Sequence, residues 1–524
     1  DEIEGAMQHA PQPARQFIGA VFRRRPRFSS GTLAKATASG HARPEPIAQR
    51  PHPPRMKIFR PASLLLTAFI AIASLRAAPE TTQLFPAADA IAVCPDTPLR
   101  LTFTAPPTVG PAGKIQIIDT TTRTVVDTID VSSPTAVQAI GGLVGYKYYP
   151  VIVAGREATI YPRNGALAYG KTYSVTIDAG VFKLAADAVG ALDQPTAWRF
   201  ATKAAAPAKG TAKLVVAADG TGDFCTVQGA LDFIPDGNTT PTTILLRRGT
   251  YPEMVFFTNK HAITLLGEDR KQSVIAYPTN DRFNPSSSNP FGSATPNPSA
   301  ETTGGGRIYH RGVLIAHRAN NFTLANLTIR NTTPQGGSQA EAIIFNGTTE
   351  ARAIVKDVDL YSYQDTLQIN GQAYLIGCYI EGDVDFMWGT GPGVGVNGYA
   401  HALRTGAYYT QVRNPATNHG YVFLHCTFDG ASGVTGNMLS RIEPHRFPHS
   451  EVVLLDCVLG ASVAPVGWLL QAPPVGTAPG RTTDLHFWES NSRTAAGAPA
   501  DTSHRLAASR QLTTPADTTL LADY

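Results

Sequence analysis

The stretch 374-YLIGCYIEGD-383 sets two short apolar runs around a glycine and a cysteine, then closes on Gly and Asp. The same form appears one step earlier in 353-AIVKDVDLYS-362, and again in 322-FTLANLTIRN-331, 421-YVFLHCTFDG-430 and 452-VVLLDCVLG-460. Asp357 to Cys378 is 21 residues, and Asn326 to Asp357 and Cys426 to Cys457 are 31 each. A coil of about 20 residues with longer excursions is the mark of a parallel β-solenoid. An α/β sheet needs helical patterns between its strands, and almost none are present. The exception, 226-TVQGALDFIP-235, is amphipathic and early, as a helix capping the solenoid's open end would be.

The rest of the chain divides around this repeat. Residues 81–203 hold short β-like runs broken by turn signals, such as 99-LRLTFT-104, 115-IQIID-119 and 173-YSVTI-177. Runs at that spacing predict a β-sandwich. A short Ala/Pro/Lys linker at 204–211 leads to a second domain over 212–524. The fold class is therefore all-β. The net charge of +4 is local, because residues 1–60 hold 11 Lys/Arg against 4 Asp/Glu. That pattern excludes a nucleic-acid-binding face on the folded domains. Residues 56–78 read as a signal peptide, with a charged start at Lys57 and Arg60 and an apolar run from Ala62 to Leu75 too short to span a bilayer. Residues 1–55, rich in Arg and Pro, read as disordered or as a mis-assigned start. A secreted or periplasmic location follows, with no membrane attachment after cleavage. The five cysteines have no zinc-like spacing, and three recur at one place in the repeat.

The stretch 361-YSYQDTLQIN-370 holds an acid in an odd place. Tyr361, Tyr363, Leu367 and Ile369 alternate as a half-buried strand would, and Asp365 falls in phase with them. Asp is depleted in strands, and burying an unpaired carboxylate is costly. Asp365 lies 20 residues before Asp385, in 381-EGDVDFMWGTG-391. One coil apart, two residues stack on adjacent strands about 4.8 Å apart. Two close carboxyls do not both ionise easily, which yields a proton donor beside an ionised nucleophile or base. Arg441 is placed to hold the ionised member through a bidentate contact, and Gln364 and Gln339 to offer amide N–H groups to an oxyanion. Such a set fits acyl transfer by a carboxylate nucleophile. Taken singly, each residue has a plainer reading as a turn, ladder or surface group. His445 and His449, in 445-HRFPH-449, read as loop residues, and no metal site is expected.

In these residues the chain resembles the pectin methylesterases, carbohydrate esterase family 8. The resemblance rests on 216-VAADGTGDFCTVQGALDFIP-235, 249-GTYPEMV-255, Q-A-E-A-I at 339–343, Y-Q-D-T-L at 363–367, V-D-F-M-W-G at 384–389, L-S-R at 439–441, 467-GW-468 and 486-HFWES-490. Residues 81–203 resemble the bacterial Ig-like domains found beside secreted carbohydrate-active enzymes. The resemblance implies a right-handed parallel β-helix preceded by a small Ig-like β-sandwich. It implies cofactor-free hydrolysis of galacturonate methyl esters in homogalacturonan by a monomer. It makes Asp385 the nucleophile, Asp365 the acid and then base, Gln364 and Gln339 the oxyanion hole, and Arg441 the residue that positions Asp385. Phe386 and Trp388 become an aromatic floor for a sugar ring, and Trp468 a cleft wall. The Ig-like domain has a default role as spacer or packing partner.

Some positions depart from the family's pattern. Glu443 stands where a substrate-stacking Trp is expected. Glu341 replaces an apolar residue beside Gln339, placing a new acid near the cleft. A Pro-rich insertion spans 283–307. The alternative readings are a pectate lyase or polygalacturonase-like β-helix, or a non-catalytic pectin-binding one.

Overall fold

The architecture follows from one residue per coil. After each apolar run the chain must turn out of one sheet and into the next, and Asn326, Asp357, Gly377, Asn397, Asp456 and Asn491 all do so with φ between 52° and 63°. Left-handed backbone is cheap for Gly, Asn and Asp alone. His425 occupies the equivalent corner with φ 54°. The computed structural model describes residues 81–284, 310–348, 351–514 and 517; the signal-like segment and most of the Pro-rich insertion lie outside them.

From Lys213 onward the described strands form three parallel sheets. The first has 11 strands, from Lys213–Val216 to Arg510–Gln511. The second has 9, from Gly249–Tyr251 to Arg493–Thr494, and the third has 8, from Val255–Thr258 to Trp468–Leu470. Each coil gives a strand to successive sheets, so the domain is a parallel β-helix. Leu367 pairs with Met387 and Tyr379 with Tyr399, a coil of 20 residues. Inward apolar side chains such as Leu324, Val355 and Leu375 stack into a continuous core. Cys378, Cys426 and Cys457 are among the buried residues of that core, and all five cysteines of the chain are buried free thiols.

The helix Val227–Phe233 packs Val227, Ala230 and Leu231 into the core at the early end. Thr226 caps it, accepting from Gly229 N at 3.0 Å. Glu253 accepts from Val227 N at 2.8 Å and Gln228 N at 3.0 Å, satisfying two further first-turn donors.

The sandwich preceding it has a four-stranded sheet containing Leu99–Phe103 and a five-stranded sheet containing Thr172–Ile177, closed over Trp198, Phe103 and Tyr173. It is no loose spacer. Its hairpin, Ala136–Ile140 with Leu143–Tyr148, sends Ile140, Tyr146 and Tyr148 into the core of the β-helix. Asn284 clamps this hairpin, accepting from Lys147 N at 2.9 Å and donating to Lys147 O at 3.0 Å. Asp96 reaches from the sandwich to the start of the capping helix, where it accepts from Cys225 N, Thr226 N and Thr226 Oγ1 at 2.7–2.9 Å. Among the described residues no helix is long and apolar enough to cross a membrane.

Candidate active site

Asp365 is not a strand residue. The second-sheet strand ends at Tyr361 and the third-sheet strand starts at Leu367. Between them the chain turns a corner, with Asp365 at φ 64°; one coil later Asp385 repeats it at φ 47°. The expected alternation from Tyr361 to Ile369 therefore breaks, because the corner resets the phase. The same corner removes the conflict over Gln364, which strict alternation sends away from Asp365. Gln364 bridges to Val384 on the next coil, and Asp365 N donates to Val384 O at 3.0 Å. The two acids are thus stacked one coil apart.

Both are buried, Asp365 to 8% exposure and Asp385 to 5%. Arg441 comes from the third-sheet strand Met438–Ile442. Its Nε lies 2.6 Å from Asp385 Oδ1 and its Nη2 donates to Oδ2. The guanidinium also lies 4.5 Å over the Tyr408 ring, which fixes its plane. Burial raises the Asp385 carboxyl above its ordinary range, with Arg441 opposing. Burial raises Asp365 much further, helped by the charges of Glu341 and Asp385 and opposed by Arg311 and Arg413. The environments push the pair apart, Asp365 toward the acid form and Asp385 toward the carboxylate.

Gln339 is half-buried, and its Oε1 accepts from Ser338 Oγ at 2.9 Å. That bond turns the amide's N–H end the other way. Gln364 is also half-buried, and its carbonyl accepts from Ala340 N at 3.1 Å, tying the two glutamine segments together. Gly389 ends the Met387–Gly389 strand at φ 145°, where a Cβ would meet Ile369 O at 1.9 Å; no other residue fits there.

The aromatic floor needs correction. Phe386 is 0% exposed and packs on Tyr409 inside the core, because the residue after the corner points inward. Trp468 is 1% exposed and stacks on Phe487 at 4.8 Å. Neither faces a substrate. Trp388 lies at the site, with Arg413 4.8 Å and Arg311 5.8 Å from its ring centre. Glu341 does not face the cleft either. It is fully buried and gripped by Arg311, with N–O distances of 2.8–3.0 Å. Arg311 and Arg413 were not singled out by the sequence reading. The one signal was Glu341, an acid in an apolar position that demands a partner.

A carboxylate nucleophile beside a carboxylic acid on a parallel β-helix defines a carboxylic ester hydrolase. The family model for pectinesterases matches residues 213–507, and that for the bacterial Ig-like domain matches residues 76–202. Pectinesterase 31 of Arabidopsis thaliana is 32% identical over 257 residues, covering 48% of this chain and 75% of the relative. Pectinesterase 2 of Olea europaea is 30% identical over 294 residues, covering 53% and 72%. Among solved structures, a pectin methylesterase from carrot aligns at TM-score 0.47 and 23% identity, over 58% of this chain and 89% of that one. Pectin methylesterase PemA from Erwinia chrysanthemi aligns at TM-score 0.47 and 23% identity, over 60% and 95%. The chain belongs to the pectinesterase family.

Proposed function

We propose that this protein hydrolyses methyl esters of galacturonate residues in pectin and releases methanol. Family membership supports the reaction, and one observation carries the assignment of roles. Two buried carboxyls sit one coil apart, and only Asp385 has both oxygens held by a guanidinium. Asp385 attacks the ester carbonyl. The amides of Gln364 and Gln339 stabilise the oxyanion. Asp365 gives its proton to the departing methanol oxygen, leaving an acyl–enzyme anhydride at Asp385. Asp365, now ionised, takes a proton from water as it attacks that carbonyl, and Asp385 is released as a carboxylate. Trp388 is the aromatic that contacts the sugar chain.

The protein acts as a monomer in the extracellular or periplasmic space, where pectin is found. Residues 81–203 serve as a packing partner for the early end of the β-helix over 212–524. Methanol release from methylated pectin by the wild type, and none from a folded Asp385→Ala variant, is the expected result. Full turnover in that variant would sink the assignment.

A further inference from the structure

Each of the two acids has its own arginine, and the arginines are used differently. Arg441 gives Asp385 two hydrogen bonds. Arg311 gives Asp365 one, from Nη2 to Oδ2 at 3.2 Å. Its other printed donations go to acids outside the reaction. Nε and Nη2 grip Glu341 at 2.8–3.0 Å, and Nη1 donates to Asp281 Oδ1 at 3.1 Å. Arg311 and Glu341 are both buried, while Asp281 lies at the half-exposed edge of the cluster.

A guanidinium has donors and no acceptor. While Nη2 occupies Oδ2 of Asp365, a proton on that carboxyl must reside on Oδ1. Glu341 matters for a separate reason. An arginine facing Asp365 alone would favour its ionised form, as Arg441 does for Asp385. Glu341 and Asp281 absorb that charge, so Asp365 is oriented without being stripped of its proton.

We propose that Arg311 is a positioning residue for Asp365, fixing Oδ1 as the oxygen that passes the proton, and that Glu341 sets how much positive charge Asp365 feels. This rests on the reading of Asp365 as the acid. During turnover the Oδ1 proton leaves with methanol, and Oδ1 later receives one from water. Neither transfer moves a proton to or from Arg311 or Glu341.

The charged groups facing Asp365 are Arg311 and Glu341 from the preceding coils, Asp385 from the next and Arg413 beyond it, with Asp281 acting through Arg311. Loss of Arg311 and loss of Glu341 therefore act on Asp365 in opposite directions. A role limited to holding the fold together would not give opposite signs.

The test is steady-state methanol release from methylated pectin across pH. The proteins are wild type, Arg311→Gln, Arg311→Lys, Glu341→Gln and Asp281→Asn, with folding checked by circular dichroism. Arg311→Gln should lower kcat on the order of 10- to 100-fold with a smaller change in KM, and Arg311→Lys should recover part of it. The alkaline limb of kcat/KM, where the acid loses its proton, should move up in Arg311→Gln and down in Glu341→Gln. If Glu341→Gln does not fold, Asp281→Asn at the edge of the cluster should move the limb down instead. Limbs that stay put, or that move the same way in both classes of variant, overturn the proposal. Asp385→Ala separates the two ideas. If it is inactive while the limbs are unmoved, only the proposal fails; if it is fully active, the catalytic reading fails and takes the proposal with it.

Discussion

Arg441 meets Asp385 edge to edge, with Nε 2.6 Å from Oδ1 and Nη2 donating to Oδ2. A lysine would keep the charge and lose the fork. Arg441→Lys should therefore lower kcat on the order of 100-fold, since a displaced nucleophile of this kind costs about that much. KM should change little. Initial rates of methanol release check this, and wild-type kcat in the lysine variant would show that the fork is dispensable.

Asp365 gives a pH prediction. Burial and the neighbouring acids raise its carboxyl well above the ordinary range, so its proton is retained into the pH range where Asp385 is ionised. Activity should fall on the acid side as Asp385 gains a proton, and on the alkaline side as Asp365 loses one. Asp365→Asn should lower kcat by roughly 10²- to 10⁴-fold, and its residual activity should have no alkaline limb. A limb that survives the substitution would assign it to another group.

Glu253 gives a stability prediction. Burial raises its carboxyl to about 7, although Val227 N and Gln228 N favour the ionised form. The folded value lies above the unfolded one. Its stabilising contribution is thus present below the unfolded value of 4.5 and is lost as pH rises through about 7. Across that window, Tm of the wild type should fall relative to Glu253→Gln, whose amide does not ionise. Parallel Tm curves for the two proteins from pH 4 to 8 would refute it.

Asp96 links the two domains by holding Cys225 N, Thr226 N and Thr226 Oγ1. Asp96→Ala removes an acceptor that serves the start of the capping helix. Losses of this type cost about 1–2 kcal/mol. Because Tyr146 and Ile140 of the sandwich hairpin share the β-helix core, the variant should unfold in one transition at lower temperature. Calorimetry resolving two transitions in the wild type would contradict a shared core.

Much of the fold was legible because its corners are chemically demanding. Asn326, Asp357 and Asn397 recur after apolar runs since few residues tolerate φ near 55°, and that recurrence is visible without coordinates. The pairing of Asp365 with Asp385 was legible for the same reason, their separation being one coil. The facing of Phe386 and Trp468 was not. A corner shifts the inward–outward phase, and aromatic type alone does not say on which side of the wall a ring falls. Arg311 was hidden by distance: it lies 54 residues before Asp365, and only the closing of the coils brings its Nη2 within 3.2 Å.

The coil from Leu367 to Met387 takes 20 residues, whereas the register steps from Tyr399 to Thr427 and from Tyr421 to Val452 take 28 and 31. Loops on this scaffold can lengthen freely once the chain has passed the second acid. Between the acids, a single inserted residue would have to be absorbed where both flanking corners are already committed. Family divergence in substrate choice should therefore accumulate as length changes downstream of Tyr399. The interval between Asp365 and Asp385 should behave as a fixed ruler, readable in any new sequence before its fold is known.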